Sequence, residues 1–179
     1  AVAAFTAGSK IENVFTQAFV ALGTTMSTYN AQNIGARQLD RVRKGFRSAD
    51  VIGCIYAVAV GFILFFAGKY FAYLFISDNA ETLIPMVDIY LQCVGMFMIP
   101  LYVVNCYRNG FQGMGYGLLP MLSGVAELIG RGVMAVVAAH EKSYRMACMA
   151  SPVAWIVATA LLFVLYFYVM KDMKKKLCL

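Results

Sequence analysis

The sequence predicts an all-α membrane protein with five transmembrane helices. Three observations carry that reading. Five stretches are almost free of charge: 13–36, 51–68, 89–107, 109–126 (continuing past Glu127 and Arg131 to 139) and 146–170. Each is close to the roughly 20 residues that a helix needs to cross the hydrocarbon core. Hydrophobic residues make up 61% of the chain and charged ones only 13%, with a mean hydropathy of +0.71, whereas soluble domains carry about 25% charged residues. Finally, the basic residues gather in alternate connections between the apolar stretches.

The five helices are expected near 2–33, 46–76, 85–108, 119–139 and 150–170. The first is a long run of small and apolar residues that carries Lys10 and Glu12 in its outer third. Glu12, Thr16, Phe19 and Gly23 share one stripe of it. On the second, Gly53, Ala57 and Gly61 make a ridge of small residues at i, i+4 and i+8, which allows close helix approach in lipid. The third opens with Pro85 in its first turn, a favourable place for proline. Its Pro100 lies mid-helix, removes a backbone hydrogen bond and predicts a bend. The fourth starts at Leu119 or Pro120. The fifth starts near Pro152 or one turn earlier. It ends in Tyr166, Phe167 and Tyr168, an interfacial aromatic belt followed by lysine anchors.

The connections set an orientation. The first, 37–47, holds Arg37, Arg41, Arg43, Lys44 and Arg47. The second, 77–83, holds Asp78 and Glu81 and no base. The third begins with Arg108, the fourth mixes Glu141, Lys142 and Arg145, and the tail carries Lys171, Lys174, Lys175 and Lys176. The positive-inside bias makes the first and third connections and the C-terminus cytoplasmic. The first helix then enters from the outside, and the odd number of spans points to an upstream segment that begins insertion. The net charge of +6 is explained by flanks that meet anionic lipid headgroups of the bilayer. These bases punctuate a topology and form no continuous face, which argues against a nucleic-acid partner.

Enzyme chemistry finds little to work with. Five cysteines show no CxxC pairing, and four of them sit in apolar helices as small buried hydrophobes. His140 is the only histidine. A histidine-based triad or zinc site is therefore excluded, and no cofactor or metal is expected. The informative residues are the charges within spans, each costing about 2.5–3.5 kcal/mol at the bilayer centre on insertion scales. Glu127 and Arg131 stand at i and i+4 on one helix face and can pair. They are read either as a cation-responsive carboxylate held ionised by its arginine or as an ion pair that pins the fourth helix. Glu12 is either cavity-facing or interfacial, and Lys10 snorkels outward. Asp88 is a solvated residue at the outer end of the third helix. Asn105, Arg108 and Gln112 fix the inner turn and meet headgroups.

Three motifs carry a family resemblance. The first connection reads Ala31-Gln32-Asn33-Ile34-Gly35-Ala36-Arg37-Gln38-Leu39-Asp40-Arg41-Val42-Arg43-Lys44-Gly45. It resembles the loop after the second helix of each half in the multidrug and toxic compound extrusion (MATE) family. Arg108-Asn109-Gly110-Phe111-Gln112-Gly113-Met114-Gly115 is similar to that family's turn after the fourth helix of a half. Pro152-Val153-Ala154-Trp155 resembles the start of its last helix. In order and spacing the three cover nearly the whole chain.

The resemblance implies a twelve-helix transporter of two six-helix lobes, of which this chain is the C-terminal lobe without its first helix. It also implies a secondary active efflux antiporter in the plasma (inner) membrane. Such a protein exports amphipathic organic cations by alternating access in exchange for the coupling ion, Na+ or H+. The missing N-terminal lobe would then be a partner. The family's best-known cation carboxylates lie on its first, seventh and tenth helices. The first two fall outside this chain, and the third offers only Asp88. Glu127 and Glu12 are candidates on bilayer physics alone. A lipid-linked oligosaccharide flippase of a related group, or a non-transporting fragment, are the alternatives.

Overall fold

The computed structural model describes residues 2–75 and 80–177. Seven helices are formed among them: α1 (Val2–Gly35), α2 (Leu39–Phe75), α3 (Ala80–Gly95), α4 (Met98–Gly113), α5 (Leu118–Glu141), α6 (Tyr144–Cys148) and α7 (Ala150–Lys176). The expected helix end at 76 and Asp78 of the acidic connection lie outside the described residues.

Three helical runs are long and apolar enough to cross a membrane, and a fourth is added when the bent pair α3–α4 counts as one. Of the five expected spans, the first, α1, is not among these apolar runs. The 34-residue α1 is long enough to cross. It is not among the apolar runs, because Asn, Gln and Thr recur along one of its faces.

The third expected helix is two helices, bent by 57° between Gly95 and Met98. The break falls one turn before Pro100. This follows from proline's chemistry: its ring has no N–H for the carbonyl of Met96 and crowds that carbonyl. The Phe97 N–H turns instead to the Val94 carbonyl at 2.9 Å. The Thr159 hydroxyl of α7 donates to the Pro100 carbonyl at 3.2 Å and braces the bend. Pro85 lies inside α3 rather than in its first turn, because the helix already begins at Ala80.

Connections are shorter than the charges suggest. Of the basic stretch 37–47, only Arg37 and Gln38 precede α2, so Arg41, Arg43, Lys44 and Arg47 ride on its first turns. Arg37 takes a left-handed conformation, φ 57°, to make the turn. Likewise Arg108, Gln112 and Gly113 belong to α4, and the turn to α5 is 114–117, where Gly115 has φ +88°. Charged side chains tolerate helix, so a helix runs on past the bilayer until a residue of special geometry stops it.

The core lies among α1, α2, α3, α4 and α7, filled by Phe19, Phe46, Leu64, Leu91, Tyr102, Phe111 and Leu162. The small-residue ridge works as expected. A Cβ on Gly61 would stand 2.6 Å from the Gly95 carbonyl oxygen, and one on Gly95 would stand 3.1 Å from that of Gly61. Glycine at both places lets α2 lie directly against the end of α3. α5 is peripheral. It packs mainly on α7, buries only Pro120, Ser123 and Gly130, and leaves Leu118, Met121, Leu128, Ile129, Val133 and Val136 exposed.

Candidate functional site

α1 has two faces of different character. Ile11, Glu12, Thr16, Phe19, Gly23, Met26 and Asn30 are buried against the bundle. The opposite face, exposed along its length, carries Lys10, Asn13, Gln17, Thr24, Thr28 and Gln32. The spacing of three, four and seven residues keeps them on one side of an α-helix. Thr24 and Thr28 hydroxyls donate to the carbonyls of Val20 and Thr24 at 2.9 and 3.3 Å. The amide side chains of Asn13 and Gln17 have no partner among the hydrogen bonds of the described residues. A face of this polarity suits water rather than lipid tails.

Glu12 is on the inward face of α1, 9% exposed. Tyr90 of α3 donates its hydroxyl to Glu12 Oε2 at 2.5 Å. The Tyr90 ring sits over Gly8, where a Cβ would come within 2.4 Å of it. No cation pairs with Glu12 among the described residues. Lys10, two residues away, points outward, as expected.

Glu127 is in the opposite situation. Arg131 donates to its Oε1 at 2.6 Å and Arg108 of α4 donates to its Oε2 at 2.9 Å. The i, i+4 pair was legible in the sequence, but the second arginine was not. Arg108 was expected at the headgroups. Its Nε instead donates to the Ser123 hydroxyl at 3.0 Å, which itself donates to the Pro120 carbonyl at 2.7 Å. Arg108 thus spans from α4 to two turns of α5. Two guanidiniums around one carboxylate make a tie between helices that carries a net positive charge.

A third carboxylate escaped sequence reasoning. Asp50 of α2 accepts one hydroxyl from Tyr102 at 3.1 Å and one from Tyr107 at 3.0 Å, both on α4. It lies inside the helix expected over 46–76, just before the apolar stretch 51–68, and nothing local in the sequence names its partners. The signal available was its position, one turn beyond Phe46 and one turn before Cys54 on a helix face that is buried. Tyr107 also stacks in an aromatic group with Phe46, Phe111, Phe163 and Tyr166. Tyr166 is therefore a packing residue, while Phe167 and Tyr168 of the expected belt are exposed.

The remaining motif residues meet at the basic end of the bundle. Gly113 lies so close to α1 that a Cβ would come within 2.0 Å of the Ser27 carbonyl oxygen. The Asn30 amide donates to the Gly110 carbonyl at 3.1 Å, and the Asn33 amide to the Tyr29 carbonyl at 2.8 Å. Asp40 pairs with Arg43 at 3.5 Å on the surface. The Arg41 carbonyl accepts the Tyr29 hydroxyl at 3.2 Å. Gln32, Gly35, Ala36 and Gln112 are exposed. These two motifs therefore join α1, α2 and α4 into one corner. Beside it, Tyr116 of the α4–α5 turn hydrogen-bonds to Asp172 of α7. Burial, and then that carboxylate, push the Tyr116 hydroxyl up to about 12. Asp88 holds the Gln92 amide at 2.8 Å and stays within its own helix.

Two concavities flank these sites. An apolar one of about 300 Å³ lies at the α3–α4 bend between Gly61, Phe62, Phe65, Gly95, Met96 and Ile99. A shallower one of about 590 Å³ runs from Arg108 and Gln112 along Met121, Val125 and Leu128 of α5. No cluster of three or more metal-ligating side chains occurs among the described residues.

Long apolar helices, a bent pair, and ionised side chains tied between helices define a polytopic helical membrane protein. The MatE family model matches residues 1–137. The chain accordingly belongs to the MATE family of membrane transporters. Neither the curated proteins nor the solved structures contain a match to it.

Proposed function

We propose that this chain is the second lobe of a two-lobed, twelve-helix secondary antiporter, with α1 as a further span. In this reading the protein exports amphipathic compounds, organic cations among them, in exchange for Na+ or H+. It works by alternating access in the plasma (inner) membrane, with its basic end and C-terminus cytoplasmic. The observation that carries the reading is the exposed polar face of α1. A helix of this length with Asn13, Gln17, Thr24, Thr28 and Gln32 along one side needs water beside it, and a membrane offers water only along a pathway.

Glu12 is the carboxylate best suited to the coupling ion. It is buried with one neutral partner, so its charge is balanced only when a proton or Na+ arrives. Glu127 already has two guanidiniums and serves as a brace. Coupling follows if ion binding at Glu12 changes its bond to Tyr90 and so the packing of α1 against α3.

The test is gradient-driven dye export by the complete transporter in proteoliposomes, with Glu12→Gln and Glu127→Gln compared at equal folded protein. Glu12→Gln abolishes the gradient dependence, and Glu127→Gln retains it with lowered thermal stability. Gradient dependence that survives Glu12→Gln removes Glu12 from the coupling role. Absence of export under either gradient refutes the antiporter and returns the flippase and non-transporting readings.

A further inference from the structure

The apolar concavity at the α3–α4 bend has a floor, an open rim and one unsatisfied polar group. The buried Gly61 and Gly95 form its floor, and Phe62, Phe65, Phe66 and Met96 stand exposed around it. It holds about 300 Å³. No lining side chain carries a charge, a nitrogen or an oxygen, so the only nitrogen and oxygen atoms in its wall belong to the backbone.

The unsatisfied group comes from the bend itself. Pro100 offers no N–H to the Met96 carbonyl. Among the hydrogen bonds of the described residues, nothing else donates to that carbonyl, and the donors beside it are committed elsewhere. The Phe97 N–H goes to the Val94 carbonyl, the Leu101 N–H to the Phe97 carbonyl at 3.3 Å, and the Thr159 hydroxyl to the Pro100 carbonyl. Met96 lies near the middle of the charge-free stretch 89–107, and Gly61 near the middle of 51–68. On the expected topology both are deep in the hydrocarbon core, where a carbonyl without a donor is costly.

The walls add a shape. The Phe62 and Phe66 rings are nearly parallel, 10° apart with centroids at 6.0 Å, and Phe65 sets its ring edge-on to Phe66 at 5.0 Å. Aromatic faces at the rim favour a flat ring as the guest.

We propose that this concavity binds a neutral lipophilic phenol dissolved in the bilayer, with its ring against the phenylalanines and its hydroxyl donating to the Met96 carbonyl. Each part of the assignment has its own reason. The uncharged lining disfavours an ionic guest, which would be buried without a counter-charge. The lone acceptor calls for one donor. The volume, at the small end for ligand pockets, suits one ring with a short alkyl chain. The exposed rim admits the guest from the lipid side. The site is separate from the polar face of α1, and the inference stands independently of the transport reading.

The experiment measures equilibrium binding of tritiated para-hexylphenol, and of its methyl ether, to the solubilised complete transporter. The wild-type protein binds the phenol saturably and at least about fivefold more tightly than the ether, the worth of one net hydrogen bond. Ile99→Trp, at an exposed rim position, plugs the site and abolishes saturable binding of both. Pro100→Ala returns an N–H to the Met96 carbonyl and brings the phenol down to the level of the ether. Absence of saturable phenol binding overturns the proposal, and so does binding that Ile99→Trp leaves intact. Equal binding of phenol and ether, lost in Ile99→Trp, also overturns it and marks the concavity as a groove for lipid chains. A preference for phenol that survives in Pro100→Ala removes the Met96 carbonyl from the site. Should Pro100→Ala fail to fold, the phenol–ether comparison on the wild-type and Ile99→Trp proteins decides alone. No gradient enters these measurements, so their failure leaves the antiporter reading untouched.

Discussion

Gly53→Ala isolates the closest fit in the bundle. A Cβ at residue 53 would stand 2.0 Å from Cε2, 2.3 Å from Cζ and 2.5 Å from Cδ2 of the Tyr102 ring. Tyr102 is fully buried, so the ring cannot swing into solvent. To reach ordinary van der Waals contact at about 3.5–4 Å it must move by more than an ångström. Its hydroxyl is 3.1 Å from Asp50 Oδ1, and such a shift takes it out of bonding range. Overpacking costs about 1–3 kcal/mol. Loss of a hydrogen bond to a carboxylate adds about 1.5–3 kcal/mol. Replacing glycine by alanine within a helix returns about 1 kcal/mol. The net expectation is a destabilisation of about 2–4 kcal/mol, read as a lowered denaturation midpoint of the solubilised protein. Gly124→Ala is the control, because nothing lies within 4 Å of a Cβ there, and it is expected to be neutral or slightly stabilising. In a Tyr102→Ala background Gly53→Ala loses most of its cost, since the ring that it strikes is gone. A Gly53→Ala protein as stable as Gly124→Ala, or one equally damaged with and without the Tyr102 ring, would refute the reasoning.

Two further outcomes follow from contacts outside the proposed pathway. Tyr107→Phe removes one of two hydroxyls from Asp50 while keeping the aromatic packing. It lowers stability by about 1.5–3 kcal/mol, and in an Asp50→Asn background the same change costs at most half as much. Tyr116→Phe cuts the link between the α4–α5 turn and Asp172. Because that contact is at the surface, global stability falls by less than about 1 kcal/mol, while limited proteolysis at 114–117 accelerates.

The bend of α3–α4 shows how far local chemistry reaches. Pro100 marked it in the sequence, and the rule that proline disturbs the residues one turn before it explains the break at 96–97. The start of α3 was misjudged for a related reason: proline favours the first turn of a helix, but Pro85 stands in the second turn of α3, which already begins at Ala80. The basic stretch 37–47 was misread as loop because its charges announced the membrane boundary, and helix and membrane need not end together. In α1 the sequence displayed the polar residues as plainly as Glu12, but not which of them the neighbouring helices cover. The exposed stripe opposite was recognisable only by asking which face the neighbours cover.

Ion pairs divide along the same line. Glu127 and Arg131 are one helical turn apart, so their contact is a property of local geometry and was readable as such. Arg108 reaches Glu127 across nineteen positions, and Tyr102 and Tyr107 reach Asp50 across more than fifty. Such meetings depend on which ridges of two helices interlock, which is decided by glycines and ring shapes acting together.

By itself the sequence determined the class of protein, the approximate places of the apolar helices, the Glu127–Arg131 pair and the resemblance to its family. These rest on apolar length and helical periodicity, which each segment carries alone. Only the tertiary structure decided that α1 turns a polar face outward, that Glu12 lies inward against Tyr90, and that Glu127 is balanced twice over while Asp50 is held by tyrosines. The charge state and reach of a carboxylate depend on what faces it, and in a bundle the facing side chain belongs to another helix.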